Sequence, residues 1–270
     1  MKPAAFDYVR AESLDEALDV LRNEGSDARI IAGGQSLMPM LNMRLAKPRV
    51  LVDIMRLAEL RGIEAKPGRI VVAAAVRQSE LLEWPALASE LRLVSLALPW
   101  SGHVQTRSRG TICGSIAHAD PSAEMPLALL ALGGDVALCS AKKRLRVAAR
   151  DFFLGMMSTD RSDDEMIEAV EFPANSGRCA FREVARRHGD FAIVACAAVK
   201  TIRGVRLAVG GVADMPVARE FDTIDGSALD DALNAFAYDL DARDDFHATA
   251  RYRRDLVRTI GRELIAEVVQ

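Results

Sequence analysis

Helix-period and strand-period apolar patterns alternate along residues 1 to about 173 of this 270-residue chain, and from about 174 strand patterns follow one another directly. Alternation builds an α/β unit, whereas consecutive strands followed by an amphipathic helix build an antiparallel α+β unit. Two domains are therefore expected, 1–173 and 174–270, in line with the usual range of about 100–200 residues per domain. In the first, "SLDEALDVLRNEG" reads as a helix: Ser13 and Glu16 form a capping box, Leu14, Ala17, Leu18 and Leu21 line one face, and Gly25 ends it. Strands are expected at Ile30–Ile31, at "VLVDI" (50–54) and at "RIVVAAAV" (69–76). "QSELLEWPALASELRLVSLAL" has helical periodicity broken near Pro85, and the apolar "MPLALLAL" precedes a strand pair, "DVALCS" and "RLRVAA". The first domain divides into lobes of about 1–56 and 57–173. In the second, "CAFREVARRHGDFAIVACAAVKTIRGVRLAVGGVA" offers three strands, the last two joined at Arg203 and Gly204. The closing helix "HATARYRRDLVRTIGRELIAEVV" places Tyr252, Leu256, Val257, Ile260, Leu264 and Val268 on one side to pack on that sheet.

Composition narrows the function classes. A net charge of −3 provides no field to gather nucleic acid, and no basic run with interleaved aromatics occurs. The N-terminus carries Asp and Glu where a secretory signal needs an apolar core, and no stretch of about 18 uncharged apolar residues follows, so no membrane span is expected and a cytoplasmic location is. Cys113, Cys139, Cys179 and Cys196 lie 26, 40 and 17 positions apart with no C-x-x-C pair. This is no pattern for a zinc ribbon or an iron–sulfur cluster, and buried free thiols are expected.

Two small-residue turns remain to be explained. "RIIAGGQSLMPML" (29–41) ends an apolar run in two glycines, and "GTICGS" (110–115) again gathers glycines and hydroxyls. Such turns are either purely structural or places where successive backbone N–H groups form a concavity for phosphate. Neither is a G-x-G-x-x-G fingerprint or a G-K-(S/T) loop, so a dinucleotide would have to be held by other means.

"AGGQSLMPMLNMRLAKPRVLVDI", "TRSRGTICGSIAHADPSAEMPLALLAL" and "FREVARRHGDFAIVACAAV" resemble, in order, the signature blocks of the FAD-binding medium subunit of molybdenum hydroxylases, the carbon monoxide dehydrogenase and xanthine dehydrogenase family. With "FHATARYRRDLV" the resemblance spans essentially the whole chain. It implies a two-lobed FAD-binding domain of the vanillyl-alcohol-oxidase (PCMH) type, followed by a smaller α+β domain with a three-stranded antiparallel sheet and helices. By position, Ala32, Gly33, Gly34, Gln35 and Ser36 would wrap the pyrophosphate of a non-covalent FAD from one side, and Thr111, Gly114 and Ser115 from the other. Glu124, where the family usually has Asp, would accept hydrogen bonds from the ribose side, and Arg182 stands where relatives often carry Lys near the flavin. Cys113 replaces the first glycine of the commoner T-I-G-G-(S/N) pattern, which leaves open whether that position needs a positive φ.

The implied function is that of an oxidoreductase subunit which relays electrons and has no catalytic acid or base of its own. FAD would receive electrons from 2Fe–2S clusters in a small partner subunit, molybdopterin would reside in a large one, and the assembly would be a dimer of heterotrimers. Two rivals stand beside it: a stand-alone flavin reductase of the same fold, and an assembly module whose flavin site has degenerated. His118 and Asp120 in "AHADP" have the residue types of an acid–base pair, but in a subunit that relays electrons they are assigned a structural or flavin-lining role, and "RRHGD" (186–190) is either a charged steering element or a solvated turn with internal ion pairs.

Overall fold

The computed structural model describes residues 2–175, 177–222 and 226–270. The expected first helix forms as Leu14–Glu24, burying Leu14, Ala17, Leu18 and Leu21. Ser13 Oγ accepts from the Glu16 N–H at 3.1 Å, whereas the Glu16 carboxylate accepts from the Glu12 N–H at 2.7 Å, one residue before the cap. The helix packs on a three-stranded parallel sheet ordered Asp7–Arg10, Val50–Asp53, Ala28–Ile31. Parallel pairing follows from the crossovers, each long enough to carry a helix back over the sheet.

The second lobe is a five-stranded antiparallel sheet ordered Ile63–Lys66, Arg69–Ala73, Met166–Pro173, Asp135–Cys139, Arg144–Ala148. Its middle strand, Met166–Pro173, lies outside the strands expected above. It is buried on both faces over most of its length and so lacks the alternation that betrays a half-exposed strand. A bulge between Ile167 and Ala169 interrupts its pairing with Asp135–Cys139 near its start. The segment around Pro85 becomes three short helices, Gln78–Leu82, Leu87–Glu90 and Arg92–Ala97. The helix Glu124–Leu132 is buried at all nine positions, as an all-round apolar sequence requires.

The C-terminal sheet has four strands rather than three: Cys179–Val184, Val194–Lys200, Val205–Gly210 and Val217–Phe221. The added strand pairs antiparallel with Val205–Gly210 through all five residues. Its sequence, VAREF, carries two charges, and most of its side chains are partly exposed, which is how an edge strand reads and why it escapes a search for apolar runs. One face of this sheet packs on the helix Glu124–Leu132 through Ala195, Ala197, Val199 and Ala208. The opposite face packs, through Val194, Cys196, Ala198 and Leu207, on the helices Gly226–Asp239 and Ala250–Val269. The closing helix buries Val257, Ile260, Leu264 and Val268 as expected, but Arg253 is buried as well, while Tyr252 remains half-exposed. Arg253 donates to Ile193 O (2.7 Å), Gly211 O (2.5 Å) and Asp245 Oδ2 (2.6 Å), which compensates its burial. All four cysteines are free and buried.

Candidate functional site: a cleft between the lobes

An open cleft of about 970 Å³ runs between the two lobes and beneath the turn that joins the first two C-terminal strands. That is the upper end of the roughly 300–1,000 Å³ range of cofactor sites. Ala32, Gly33, Gly34, Gln35, Ser36, Thr111, Gly114, Ser115 and Glu124 all line it.

The two small-residue turns meet there. A Cβ added at Gly33 would lie 2.1 Å from Arg109 O and 2.7 Å from Gly110 Cα, so only glycine lets the first turn abut the second. Gly34 has φ +70°, and Gln35 Nε2 donates to Gly33 O at 3.0 Å to stiffen the loop. No hydrogen bond within the described residues is donated by the backbone N–H groups of Gly33, Gly34, Gln35 or Ser36. Four successive unspent donors in a glycine turn form the kind of concavity that takes an anion. The second turn is anchored to the end of the five-stranded sheet: the Gln78 N–H donates to Gly110 O (2.8 Å) and the Ile112 N–H to Val76 O (3.3 Å). Thr111 caps the helix Ile112–His118, its Oγ1 accepting from the Gly114 N–H at 2.9 Å. A Cβ at Gly114 would sit 2.7 Å from that oxygen, so glycine is needed for the cap. Cys113 lies inside the helix, buried, with no positive φ. The glycine it replaces is therefore not required for backbone conformation here.

Glu124 is buried in the cleft wall and accepts from Ser101 Oγ at 2.5 Å. Burial pushes its carboxyl above the ordinary carboxylate range, against the opposing effect of that hydrogen bond. Arg107 holds the Ser101 loop in place, its Nη1 donating to the carbonyls of Pro99 (3.1 Å), Ser101 (3.2 Å) and Gly102 (2.6 Å).

Arg182 is not in the cleft. Its guanidinium turns to the closing helix, 3.2 Å from Glu267 and 3.8 Å from Glu263. Strand alternation is the reason: Ala180 and Val184 share its side and pack under the C-terminal helices, while Cys179 and Phe181 face the first domain. His118 and Asp120 line the cleft, Asp120 Oδ1 accepting from the Ser122 N–H at 2.8 Å. In "RRHGD", Arg187 pairs with Asp190 at 3.2 Å, and Arg186, Arg187, Gly189 and Asp190 border the cleft. That turn is packed against the first domain, with the His188 ring 4.8 Å from Trp100. Sequence reasoning missed Gln78, Ser101, Arg29 and Arg161, which also line the cleft. They are isolated polar residues in separate segments, and only lobe packing assembles them.

The chain's similarities to known proteins match this architecture. Residues 4–175 match the FAD binding domain in molybdopterin dehydrogenase, and residues 179–268 the CO dehydrogenase flavoprotein C-terminal domain. The chain belongs to the FAD-binding subunit family of molybdopterin dehydrogenases. It is 35% identical to the 6-hydroxypseudooxynicotine dehydrogenase complex subunit alpha of Paenarthrobacter nicotinovorans, covering 100% of this chain and 96% of that one. It is 36% identical to the glyceraldehyde dehydrogenase medium chain of Sulfolobus acidocaldarius, over 99% and 100% of the two. The solved structure of carbon monoxide dehydrogenase from Hydrogenophaga pseudoflava superposes with a TM-score of 0.92 at 29% identity, over 100% and 99% of the chains. As a member of this family, the chain is an oxidoreductase subunit, the FAD-binding medium subunit of a molybdenum hydroxylase complex. No helix among the described residues is long and apolar enough to cross a membrane.

Proposed function

We propose that this chain is the electron-relay subunit of its complex, holding FAD non-covalently in the cleft. It would accept electrons from 2Fe–2S clusters of a small partner subunit and pass them to an external acceptor. The observation that carries the reading is the contact of the two glycine turns, which leaves four consecutive backbone donors unspent at one point of a large cleft. Those donors suit a diphosphate, and no acceptor among the described residues takes them up. Gln78 Oε1, buried beside the second turn with no partner among the described residues, offers an acceptor for a ligand hydroxyl or amine. The residues present therefore fit the group.

In this reading Ala32 to Ser36 hold the pyrophosphate from one side, and Thr111, Gly114 and Ser115 from the other. Glu124 stands at the ribose side. Bound FAD supplies the exchange between one- and two-electron chemistry. The chain's part is to orient it, exclude water from the cleft and set its potential through nearby charge. Residues 1–173 would form the flavin domain and 174–270 the second domain, in a dimer of heterotrimers with a large molybdopterin subunit and the small iron–sulfur subunit. Four buried thiols without disulfides suit the cytoplasm.

The test is the visible absorption spectrum of the purified chain, alone and co-expressed with its partner subunits. About one FAD per chain, reduced by substrate only in the co-expressed complex, is the expected result. Absence of FAD from both preparations would reject the reading.

A further inference from the structure

Among the described residues, Glu183 is the one buried charged residue on the domain-facing side of the C-terminal sheet that the cleft reading leaves unused. It is 6% exposed, and neither carboxylate oxygen has a hydrogen-bond partner among the described residues. In the strand Cys179–Val184 it lies on the same side as Cys179 and Phe181, toward the first domain. Across the sheet it is in register with Ala195, which is in register with Gly210. A Cβ at Gly210 would lie 3.1 Å from Pro121 O and 3.6 Å from Leu127 Cδ2, so this row of small residues runs directly under the start of the helix Glu124–Leu132. The neighbour whose charge acts on Glu183 is Glu124 in the cleft wall.

The other charged groups around the strand are accounted for. Glu263 and Glu267 of the closing helix face Arg182 on its opposite side. Arg92, of the helix Arg92–Ala97 that packs on the strand, acts on Cys179 at the far end. Asp120 and Arg107 act on Glu124 with opposite sign. Among the described residues no cation pairs with Glu183. A partnerless buried carboxylate is relieved by a proton, and burial, with a smaller contribution from the charge of Glu124, pushes the Glu183 carboxyl up to about 8.

We propose that Glu183 is a positioning residue for the flavin site: it holds a proton beneath the cleft wall and forms with Glu124 a coupled carboxyl pair that links cofactor binding to protonation. The inference rests on the FAD reading above. Two buried carboxyls whose charges act on one another titrate as a unit. With the proton on Glu183, Glu124 is free to accept hydrogen bonds from the cofactor. Losing that proton adds a second negative charge near a cleft that takes an anionic diphosphate, so binding draws the proton in more tightly.

The first experiment is infrared difference spectroscopy of the flavin-free full-length chain, following the carbonyl stretch of a protonated carboxylic acid during a pH titration. A protonated carboxyl that persists at pH 7 in the native chain and disappears in Glu183→Gln is expected. If the native chain shows none at pH 7, or Glu183→Gln retains the whole signal, the proposal is overturned, whether or not FAD binds. The second is FAD affinity against pH. The native chain is expected to lose affinity above about pH 8, by up to tenfold per pH unit, whereas Glu183→Gln and Glu183→Leu remain flat there. Identical pH profiles in native and variant chains would overturn the link to cofactor binding while leaving the FAD reading intact.

Discussion

Replacing Gly33 by Ala tests the contact on which the cleft depends. The new methyl would begin 2.1 Å from Arg109 O, and ordinary contact starts at 3.4 Å, so the two turns must part by about 1.3 Å. The obstacle is backbone on the short stretch between the helix Val104–Arg107 and the cap at Thr111, where Gly110 is itself tied to Thr106 O at 2.7 Å and to Gln78. Overpacking of this kind costs about 1–3 kcal/mol of stability. That corresponds to a fall in Tm of roughly 2–12 °C at about 2–4 °C per kcal/mol for a chain of this size. Binding should suffer more. Hydrogen bonds to a charged group contribute about 1.5–3 kcal/mol each, so misaligning two of the four donors weakens FAD by about 3–6 kcal/mol, on the order of 10²–10⁴ in Kd. Flavin fluorescence titration of the purified full-length chain measures it. The proper control is Gly25→Ala, since Gly25 ends the first helix at φ +52° with nothing within 4 Å of its added Cβ. That change should cost about 1 kcal/mol of stability and leave FAD affinity alone. A Gly33→Ala chain that folds and binds FAD within threefold of native would refute the close-approach reasoning.

Further predictions follow from other parts of the structure. Thr111→Val removes the cap of the helix Ile112–His118 and should cost about 0.5–2 kcal/mol in urea unfolding, with weaker FAD binding. Arg253→Met leaves the carbonyls of Ile193 and Gly211 without their donor and should destabilise by about 3–5 kcal/mol, seen as an early loss of the C-terminal domain in hydrogen exchange. Arg182→Ala removes exposed ion pairs only; a change under about 1 kcal/mol and an unaltered flavin spectrum are expected, and a shifted spectrum would return Arg182 to the flavin site. The Glu183 carboxyl is raised from 4.5 in the unfolded chain to about 8 in the folded one. Its contribution is therefore fully present below pH 4.5 and is lost as pH rises through 8, by an amount on the order of a few kcal/mol. Glu183→Gln should flatten that part of the stability profile, and an unchanged slope between pH 5 and 8 would show the carboxyl to be ionised throughout.

What was legible in the sequence is what local chemistry dictates. Ser13, the Leu14/Ala17/Leu18/Leu21 stripe and Gly25 specify the first helix within a dozen or so residues, and the alternation of helix and strand patterns specifies the two-lobed first domain. The two glycine turns were legible as candidates because glycine pairs mark backbone that must approach something. What they approach is decided by tertiary structure: Gly33 needs its missing side chain because Arg109 and Gly110, distant in sequence, occupy that space. The strands Met166–Pro173 and Val217–Phe221 escaped local reading for opposite reasons, one being buried on both faces and the other exposed at an edge. Arg182 and Glu183 show the limit most sharply. They are adjacent charged residues in the sequence, but the two-residue period of a strand sends Arg182 to an ion pair on the closing helix and Glu183, buried, to the side that faces the first domain. Which side faces the cleft is a property of sheet register and domain packing, and no local pattern encodes it.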